Sequence, residues 1–474
     1  MKISPYSAVA FALMTGAIFV TSCTNDIEVD KNIDPAGNAI SFAPSVGHTS
    51  RATETDIKNL GDFAVVARGM HHDGILYDNY LIGSANEGEI AKRVEGSQDT
   101  WKLDRSVYWP ATLNKVLFFA YTALKNGETG YANVVDNTQT SFGFDGNNPF
   151  IDNFKPLKAT SEEGSKEAGF LKADGKNQRD LLVAYTEQVK DKSQTNVSLN
   201  FKHALTQVSI TAKQEGKLDT DHRIVKVKGA WIVNAAASGK LTATAKTTGT
   251  GGDTDYTYTD SWTGTEKTAY GSVWSQAIQL NNTTTTDILR AHSLMLIPEN
   301  MTAWDFETDK TNTNKGAYIM LLCRVELEHD GAKHDGADLG DIAVDETNKK
   351  HYHQLFPVNV NTYDAAEYGF VCVPLSSTWN TEGIGKHYTY NLNICGNGTG
   401  AGKYPPTMTE TDVKKYVPET FTSGETPLIK VVLNNPDVTG KNAGDNVLDE
   451  PIQFTVTVDG WKEPENWTPG NGTF

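Results

Sequence analysis

Residues 197–210 read Val-Ser-Leu-Asn-Phe-Lys-His-Ala-Leu-Thr-Gln-Val-Ser-Ile, and this stretch decides the fold class. Apolar residues take every second position at Val197, Leu199 and Phe201, and they alternate again in the second half of the stretch. Such alternation is typical of a β-strand with one buried face. The alternation changes phase at His203-Ala204, so we predict a bulge or kink there between two strand segments.

Strand patterns extend from this stretch in both directions. The strongest lie at 60–67, 116–121, 180–185, 225–233, 293–297, 318–327, 370–373, 388–394, 429–433 and 452–458. Strands at this spacing, with few helical patterns, predict an all-β fold made of antiparallel β-sandwiches with few short helices. Residues 187–196 are nearly all polar, so we place a domain boundary there, between domains at 40–190 and 191–474.

Composition excludes several classes of protein. The chain has 474 residues, with 42 Lys and Arg against 59 Asp and Glu, so its formal net charge at pH 7 is −17. An acidic surface repels phosphate backbones, and we therefore expect no nucleic-acid partner. The four cysteines are too few for a disulfide scaffold. Cys323 and Cys372 lie in strand patterns, which favours buried thiols, although the disulfide state of these two and of Cys395 stays open.

The amino terminus carries an export signal. Residues 1–22 have a charged start at Lys2 and then an apolar run that is too short to span a bilayer comfortably, which indicates a signal peptide. The run ends in Val-Thr-Ser-Cys23, which resembles the bacterial lipoprotein box, where the cysteine thiol receives a diacylglycerol. The alternative is an ordinary signal peptide with a chance cysteine. In the lipoprotein interpretation, residues 23–39 are a lipidated flexible tether.

A short strand and an open segment follow the tether. Ile40-Ser-Phe42-Ala alternates apolar and polar residues, which predicts a first strand. Residues 46–56 surround Arg51 and have no apolar periodicity. Segments of this kind are open to proteases, so we predict that this one is protease-sensitive.

Taken in order, these pieces resemble the fimbrillin family, the major- and minor-fimbrium-like subunits of protease-matured type V pili from Gram-negative anaerobes. The motifs that carry the resemblance are Val-Thr-Ser-Cys23, Ile40-Ser-Phe-Ala, Thr-Ser-Arg51-Ala52-Thr, Val107-Tyr-Trp-Pro110, Leu117-Phe-Phe-Ala-Tyr121, Asp180-Leu-Leu-Val-Ala, and the stretches 199–210 and 452–461. The resemblance implies two transthyretin-like β-sandwich domains, export as an outer-membrane lipoprotein, and assembly with other subunits into surface fimbriae. It also implies trimming by an Arg-specific protease, with Arg51-Ala52 at the matching position.

Loss of the first strand suggests a mechanism of assembly. After a cut at Arg51, the strand with Ile40 and Phe42 could leave, and a groove with unpaired backbone groups and apolar pockets would open. A strand from a neighbouring subunit would fill it. The candidate positions on such a strand are Ile452, Phe454, Val456 and Val458. The alternative is that 452–458 closes its own domain, which would make the subunit a tip or accessory component.

A monomeric surface lipoprotein that binds glycan is the alternative function, and a host or glycan ligand is the corresponding partner. A long exposed hairpin is predicted over 241–270, and aromatic residues on it and beside it could stack on sugar rings. They are Tyr256, Tyr258, Trp262, Tyr270 and Trp274. The same residues fit cross-strand pairs within the hairpin, which is the interpretation we favour.

No motif points to an enzyme, to a metal, or to a cofactor other than lipid on Cys23. Gly396-Asn-Gly-Thr-Gly-Ala fits a dinucleotide pattern, but Tyr404-Pro-Pro follows and prevents the helix that such a site needs. His351 and His353 would share one face of a strand, where a solvated face is a more frequent explanation than a metal pair. We therefore predict no enzymatic activity.

Overall fold

The structure is a computed structural model, and it describes the larger part of the chain beyond the amino-terminal segment. The described residues are 39–46, 60–70, 76–85, 87–97, 99–110, 113, 115–125, 141–157, 173, 175, 178–189, 196–214, 223–248, 255–290, 292–330, 343–345, 347, 350–358, 363–394 and 401–460.

The fold is mostly β, as predicted. The strands of the N-terminal half are β1 (Ser41–Val46), β2 (Phe63–Met70), β3 (Leu76–Ile82), β4 (Glu89–Arg93), β5 (Trp101–Leu103), β6 (Lys115–Lys125), β7 (Ser141–Asp145), β8 (Asn148–Phe154), β9 (Arg179–Val189) and β10 (Asn196–His203).

The strands of the C-terminal half are β11 (Thr206–Gln214), β12 (Arg223–Thr248), β13 (Asp255–Gln279), β14 (Thr286–Asp287), β15 (Leu294–Leu296), β16 (Tyr318–Asp330), β17 (Ala343–Asp345), β18 (Lys350–Phe356), β19 (Glu367–Pro374), β20 (Lys386–Ile394), β21 (Ala401–Lys403), β22 (Lys430–Val431) and β23 (Asn446–Gly460). The short helices are α1 (Trp379–Glu382), α2 (Glu410–Val413), α3 (Glu419–Thr422) and α4 (Pro436–Thr439).

Eight strands form a first sheet in the order β3-β2-β4-β5-β1-β10-β9-β6, and β2 also pairs with β6. This extra pairing closes seven strands into a ring, which we call the first ring: β1, β2, β4, β5, β6, β9 and β10. Phe42, Phe63 and Phe118 belong to the cluster of buried side chains inside it. Leu117 and Phe119 on β6 belong to a different cluster on the outer face. Because both faces of β6 are buried, its sequence is apolar at nearly every position rather than at every second one.

The second sheet runs β14-β11-β20-β23-β21-β19-β16-β12-β8-β7, with β13 paired to β12. The hairpin predicted over 241–270 is part of the longer β12–β13 hairpin, whose register begins at Lys226↔Gln279 and ends at Thr248↔Asp255. Cys323 and Cys372 are buried thiols on β16 and β19, as predicted. Burial raises the pKa of the Cys372 thiol, so that thiol stays protonated and unreactive.

The first ring and the second sheet each contain strands from both sides of the predicted domain boundary. The β7–β8 hairpin comes from the N-terminal half, yet β8 pairs with β12 through Gly239↔Phe154. Strand β10, which follows the predicted boundary at 187–196, pairs with β9 in the first ring. The chain passes to the second sheet between β10 and β11, at the phase change predicted at His203-Ala204. The division into domains at 190/191 stays a prediction.

Most strand pairs are antiparallel, while β1–β10, β11–β20 and β19–β22 are parallel. The strand predicted at 429–433 is limited to Lys430–Val431. Within the described residues, no helix has the length and apolar character needed to cross a membrane.

Candidate strand-accepting groove

Strand β1 fills a place in the first ring between β10 and β5. It pairs with β10 in parallel over its whole length, from Ser41↔Asn196 to Val46↔Phe201. On its other edge it pairs with β5 only at Phe42↔Trp101. The ring is therefore closed at this point by one short strand that has a full ladder on one side and a single pair on the other.

The side chains at the start of β1 enter the interior of the ring. Phe42 is fully buried, and its ring makes edge contacts with Phe63 at 5.8 Å and Phe118 at 6.1 Å between centroids. Ile40, just before β1, is also buried, and its N–H donates to the carbonyl oxygen of Val107 at 2.7 Å. Removal of these residues would leave an aromatic-lined pocket between β10 and β5.

Inward and outward positions alternate along β1. Ile40, Phe42 and Pro44 are buried; of the serines between and after them, Ser41 is also buried and Ser45 is exposed. The hydroxyls of Ser41 and Ser45 donate to the side-chain oxygens of Asn196 and Asn200 on β10. Both contacts follow the parallel register, in which Ser41 lies opposite Asn196 and Ser45 opposite Asn200.

Strand β23 is docked in its own molecule. Residues 452–460 pair antiparallel with β20, from Ile394↔Ile452 to Lys386↔Gly460. On the other edge, β21 pairs with β23 only before Ile452, at Ala401↔Pro451 and Lys403↔Asn446. Within the described residues, 452–460 is therefore an edge strand with one hydrogen-bonded neighbour.

The apolar side chains of β23 become less buried along the strand. Ile452 and Phe454 are partly buried against the core, and the ring of Phe454 lies 5.9 Å from that of Tyr390. Val456 and Val458 are 43% and 45% exposed, and they belong to the few large apolar side chains exposed in the described part of the chain. The alternation of apolar and polar residues thus includes two valines that are exposed in the monomer. A strand that only closes its own domain does not require apolar side chains at these two positions.

The sequence-predicted site residues divide into two groups. Cys23, Arg51 and Ala52 lie outside the described residues, so lipidation and trimming at these positions stay predictions. Ile40 and Phe42 lie in the first ring, and 452–458 lies in the second sheet. The segment predicted to be displaced and the segment predicted to be donated therefore lie in two different sheets.

Two of the five aromatic residues on which the glycan hypothesis rests are buried, whereas Tyr256, Tyr258 and Trp274 are partly buried. Trp262 is 3% exposed, and its indole N–H donates to the carbonyl oxygen of Ala204 at 2.8 Å. Tyr270 is fully buried, and its hydroxyl donates to the carbonyl oxygen of Ala236 at 2.8 Å. The glycan hypothesis required these rings to face solvent, so for Trp262 and Tyr270 it is wrong: they pack within the protein.

His351 and His353 meet a third imidazole. Their rings lie 5.2 Å apart, and the ring of His329 lies 5.2 Å and 5.0 Å from them. His351 is fully buried, so the favoured interpretation of a solvated face is wrong for that residue. Over the described ranges, no three His, Cys, Asp or Glu side chains are arranged to hold a metal ion. The glycine-rich segment 396–400 lies outside the described residues.

Sequence reasoning missed a charged contact between the first ring and the second sheet. Lys202 on β10 and Asp260 on β13 form an ion pair of 2.5 Å. The ring of Tyr185 on β9 lies 5.0 Å from the Lys202 ammonium. Burial, with Asp260 nearby, raises the pKa of the Tyr185 hydroxyl well above its usual value. The residues are far apart in sequence, and no local pattern signals such a contact.

A second buried charge cluster crosses the middle of the second sheet. Glu326 on β16 accepts hydrogen bonds from Arg324 at 2.5 Å, Lys226 at 2.7 Å and the Tyr363 hydroxyl at 2.7 Å. Burial alone would raise the pKa of Glu326, but the contacts to Lys226, Tyr363 and Arg324 outweigh it and lower that pKa. The carboxylate is therefore held ionised inside the protein.

Comparison with known proteins gives one sequence family and several solved structures. The Fimbrillin-like family profile matches residues 50–321, more than half of the chain. No curated protein matches the sequence. A fimbrial protein from Bacteroides vulgatus is similar in structure, with 16% identity and a TM-score of 0.41, over 74% of this chain and 94% of that one. A candidate cell adhesion protein from Bacteroides eggerthii is similar with 11% identity and a TM-score of 0.35, over 90% of this chain and 97% of that one.

Proposed function

This chain belongs to the fimbrillin-like family, and on that premise we propose that it is a fimbrial subunit that polymerises by strand insertion after proteolytic trimming. Family membership makes it a structural protein of the cell surface that associates with other fimbrial subunits. The finer proposal has four parts. The precursor is exported to the outer membrane as a lipoprotein on Cys23, it is cut after Arg51, β1 leaves the first ring, and a strand of another subunit takes its place.

The position of β1 is the observation that supports this proposal most. A strand in the middle of a closed ring cannot be lost without exposing two sheet edges, one on β10 and one on β5. Unpaired backbone edges bind extended chains, and the pocket of Phe42 adds apolar surface. Full burial of a side chain such as Phe42 contributes roughly 1.5–3 kcal/mol, so an empty groove is strongly unfavourable in water.

The proposed cut separates β1 from the rest of the ring. Before the cut, residues 47–59 join β1 covalently to the strand β2 region. After a cut at Arg51, only the ladder to β10, the pair with β5 and the apolar contacts hold β1 in place. Lys31 is the only other Lys or Arg between Cys23 and Arg51, so an Arg-specific protease has one site in this segment.

The segment 452–458 is the proposed donor. It must leave β20, its one hydrogen-bonded neighbour among the described residues, and its Val456 and Val458 are nearly half exposed there. In a groove of the first ring it would gain burial on its apolar face. Burial of four such side chains contributes roughly 6–12 kcal/mol as an upper estimate. Association costs on the order of 4–15 kcal/mol in lost freedom of motion, so a good fit decides the balance.

Insertion of one subunit into the next is head-to-tail. The donor strand and the acceptor groove lie on different parts of the molecule, so the contact joins two different surfaces of the two copies. Contacts of this type produce filaments, unless the rotation from one subunit to the next closes the chain of subunits into a ring.

The experiment replaces Arg51 with Ala in the purified precursor and adds an Arg-specific protease. We expect the parent to lose its amino-terminal segment and to form high-molecular-weight polymer on size-exclusion chromatography, and Arg51→Ala to stay monomeric. Lys31→Ala is the matched control, because it removes a basic residue of the same segment and should polymerise like the parent. Normal polymerisation of Arg51→Ala would refute the trimming step.

The lipid anchor has its own test. In a bacterial host, the parent should incorporate labelled fatty acid and sediment with outer membranes, because two or more acyl chains anchor a protein durably. Cys23→Ser should lose both properties. Labelling of Cys23→Ser at the level of the parent would contradict the lipoprotein assignment.

A further inference from the structure

A lysine on β21 and an asparagine on β23 lie directly opposite each other in the second sheet. Lys403 pairs with Asn446 on one side and with Cys372 of β19 on the other. The Lys403 ammonium donates to Oδ1 of Asn446 at 2.5 Å. Because a carbonyl bond is ~1.23 Å long, the lysine nitrogen lies within about 3.7 Å of Cγ of the asparagine amide. The two atoms that an amide bond between these side chains would join are therefore close already.

The backbone beside this pair is fixed by hydrogen bonds and by close packing. The N–H of Tyr404 donates to the carbonyl oxygen of Asp445, and the N–H of Gly444 donates to the carbonyl oxygen of Tyr404, both at 2.9 Å. Gly444 has a φ of +79°, and a Cβ at this position would lie 2.6 Å from the carbonyl oxygen of Phe306. The two side chains are thus held together by a rigid frame, and such positioning accelerates a reaction between them.

The surroundings of Lys403 favour its uncharged form. The side chain is partly buried, and its Nζ lies 4.0 Å from the centre of the Phe306 ring. Burial lowers the pKa of Lys403, and this effect outweighs the opposite effect of the carboxylates of Glu307 and Asp445. A neutral amine is a nucleophile, whereas an ammonium is not. A larger fraction of Lys403 than of an ordinary exposed lysine is therefore able to attack a carbonyl carbon.

The acceptor of Lys403 differs from the acceptors in the ion pairs of the described part of the chain. Lys202, for example, contacts the Asp260 carboxylate at 2.5 Å. A carboxylate keeps its lysine protonated, and its own negative charge opposes nucleophilic attack. Asn446 presents an uncharged amide instead, so its carbonyl carbon is open to attack by the amine.

A carboxylate that can carry a proton lies near the pair. Glu307 and Asp445 both act electrostatically on Lys403. Asp445 has other contacts, because its Oδ2 accepts from the N–H of Asn442 at 2.7 Å and its Oδ1 lies 3.6 Å from Nζ of Lys310. Glu307 is exposed, and we assign the proton transfer to its carboxylate.

We propose that Lys403 and Asn446 join in an intramolecular amide bond. Nζ of the neutral lysine attacks Cγ of Asn446, so the Nζ–Cγ bond forms and the Cγ–Nδ2 bond breaks. One proton passes from the lysine nitrogen through Glu307 to Nδ2, which leaves as ammonia. The step is an exchange of one amide for another and needs no oxidant or further reactant. The product is lighter than the sequence by one ammonia, about 17 Da.

The bond would fix the start of β23 and leave its outer part unrestrained. It joins β21 to β23 at Asn446, whereas the edge segment 452–460 follows farther along the strand. The inference does not depend on strand insertion, and its test requires no polymer.

Tryptic digestion of the purified full chain tests the proposal, because trypsin cuts after a free lysine and not after one whose amine is acylated. The protein is first incubated at mildly alkaline pH. With the bond, residues 387–414 and 442–462 should appear as one branched peptide, about 17 Da lighter than the sum of its two parts. Without the bond, trypsin cuts after Lys403 and releases 387–403 and 404–414 as separate peptides.

Three variants define the groups that react. Lys403→Arg keeps the positive charge and the hydrogen-bond donors, so it should fold like the parent, by circular dichroism, and yield no branched peptide. Glu307→Gln should form the branched peptide more slowly by roughly a factor of a hundred, because it cannot carry the proton. Lys415→Arg is the matched control: it replaces an exposed lysine that pairs with Asp412 at 2.9 Å, and it should react like the parent.

Two results would overturn the proposal or a part of it. Complete cleavage after Lys403 in the folded parent, with 442–462 as a separate peptide at all times, would overturn the amide bond. A branched peptide that forms in Glu307→Gln at the rate of the parent would overturn the assignment of Glu307 as the proton carrier.

Discussion

Strands β1 and β23 share a sequence pattern but differ in their surroundings. On β1 the aromatic residue Phe42 is fully buried among other rings. On β23 the corresponding Phe454 is only partly buried, and Val456 and Val458 are nearly half exposed. The same alternation thus occurs on β1, where the inward side chains pack in the core, and on β23, where two of the four apolar side chains are exposed. The comparison teaches that a strand pattern reports the environment a segment can occupy, not only the one it occupies in a single molecule.

The largest expected effect is on the stability of the precursor, and it concerns Phe42 on β1. Phe42→Ala in the precursor should lower the free energy of unfolding by about 3–5 kcal/mol, because it opens a cavity among Phe63 and Phe118. Urea denaturation measures this directly. Val458→Ala is the matched control on β23, and we expect it to change stability by about 0.5 kcal/mol or less. Equal losses for the two variants would remove the contrast between the strands.

The next effect separates the monomer from the polymer. Phe454→Ala should cost the unprocessed monomer about 1–2 kcal/mol, less than a fully buried phenylalanine, because its side chain is only partly buried. In trimmed protein the same substitution should reduce polymer yield severalfold, since Phe454 is the largest apolar side chain of the proposed donor segment 452–458. Urea denaturation and size-exclusion chromatography give the two readouts. Unchanged polymer yield would argue against Phe454 as the residue that enters the groove.

Acid should weaken the second sheet, which holds β23. The pKa of Glu326 is lower in the folded protein than its usual value of 4.5, so its ionised contacts stabilise the fold above that value, and the stabilisation is lost as the pH falls through the folded pKa. The urea midpoint of the parent should therefore fall between pH 6 and pH 3. Glu326→Gln should be less stable at pH 6 and should show a smaller further fall.

Glu410, an exposed glutamate on α2, provides the control for that comparison. Glu410→Gln should follow the pH dependence of the parent. A pH dependence of Glu326→Gln as steep as that of the parent would show that other carboxylates carry the acid sensitivity.

The smallest expected effect in the monomer is also the most selective one. Val456→Thr keeps the shape of an exposed side chain on β23, so the free energy of unfolding should change by about 0.5 kcal/mol or less. In trimmed protein it places a hydroxyl among the apolar side chains of the first ring, which costs on the order of 1–3 kcal/mol if the hydroxyl has no partner. Competition between parent and variant donors, quantified by mass spectrometry of the polymer, measures the difference.

Local pattern predicted the strands well and predicted their partners poorly. The alternation around 40–42, 197–210 and 452–458 identified four strands of the structure, because 197–210 contains both β10 and β11. Strand β10 belongs to the first ring because it pairs with β1, more than 150 residues earlier, and the polarity of residues 187–196 gives no sign of that pairing. Pairing across such a separation leaves no mark in a window of ten residues.

The candidate site was predicted in its parts and not in its arrangement. Ile40 and Phe42 were identified as a strand that would leave a groove, and they lie inside the first ring. Nothing in the sequence near β1 states that its ladder is parallel or that β5 touches it at one residue. The aromatic residues of the hairpin were visible in the sequence, but the burial of Trp262 follows from its contact with Ala204, which only the folded chain brings together.

The contact of the long β12–β13 hairpin with the first ring has a mechanical consequence. Trp262 bonds to Ala204, Lys202 pairs with Asp260, and β8 joins β12, so three separate links oppose bending between the two halves of a subunit. Each subunit of a fibre would therefore bend little under tension. In a polymer held together by strand insertion, as proposed above, flexure and rupture would concentrate at the inserted strands.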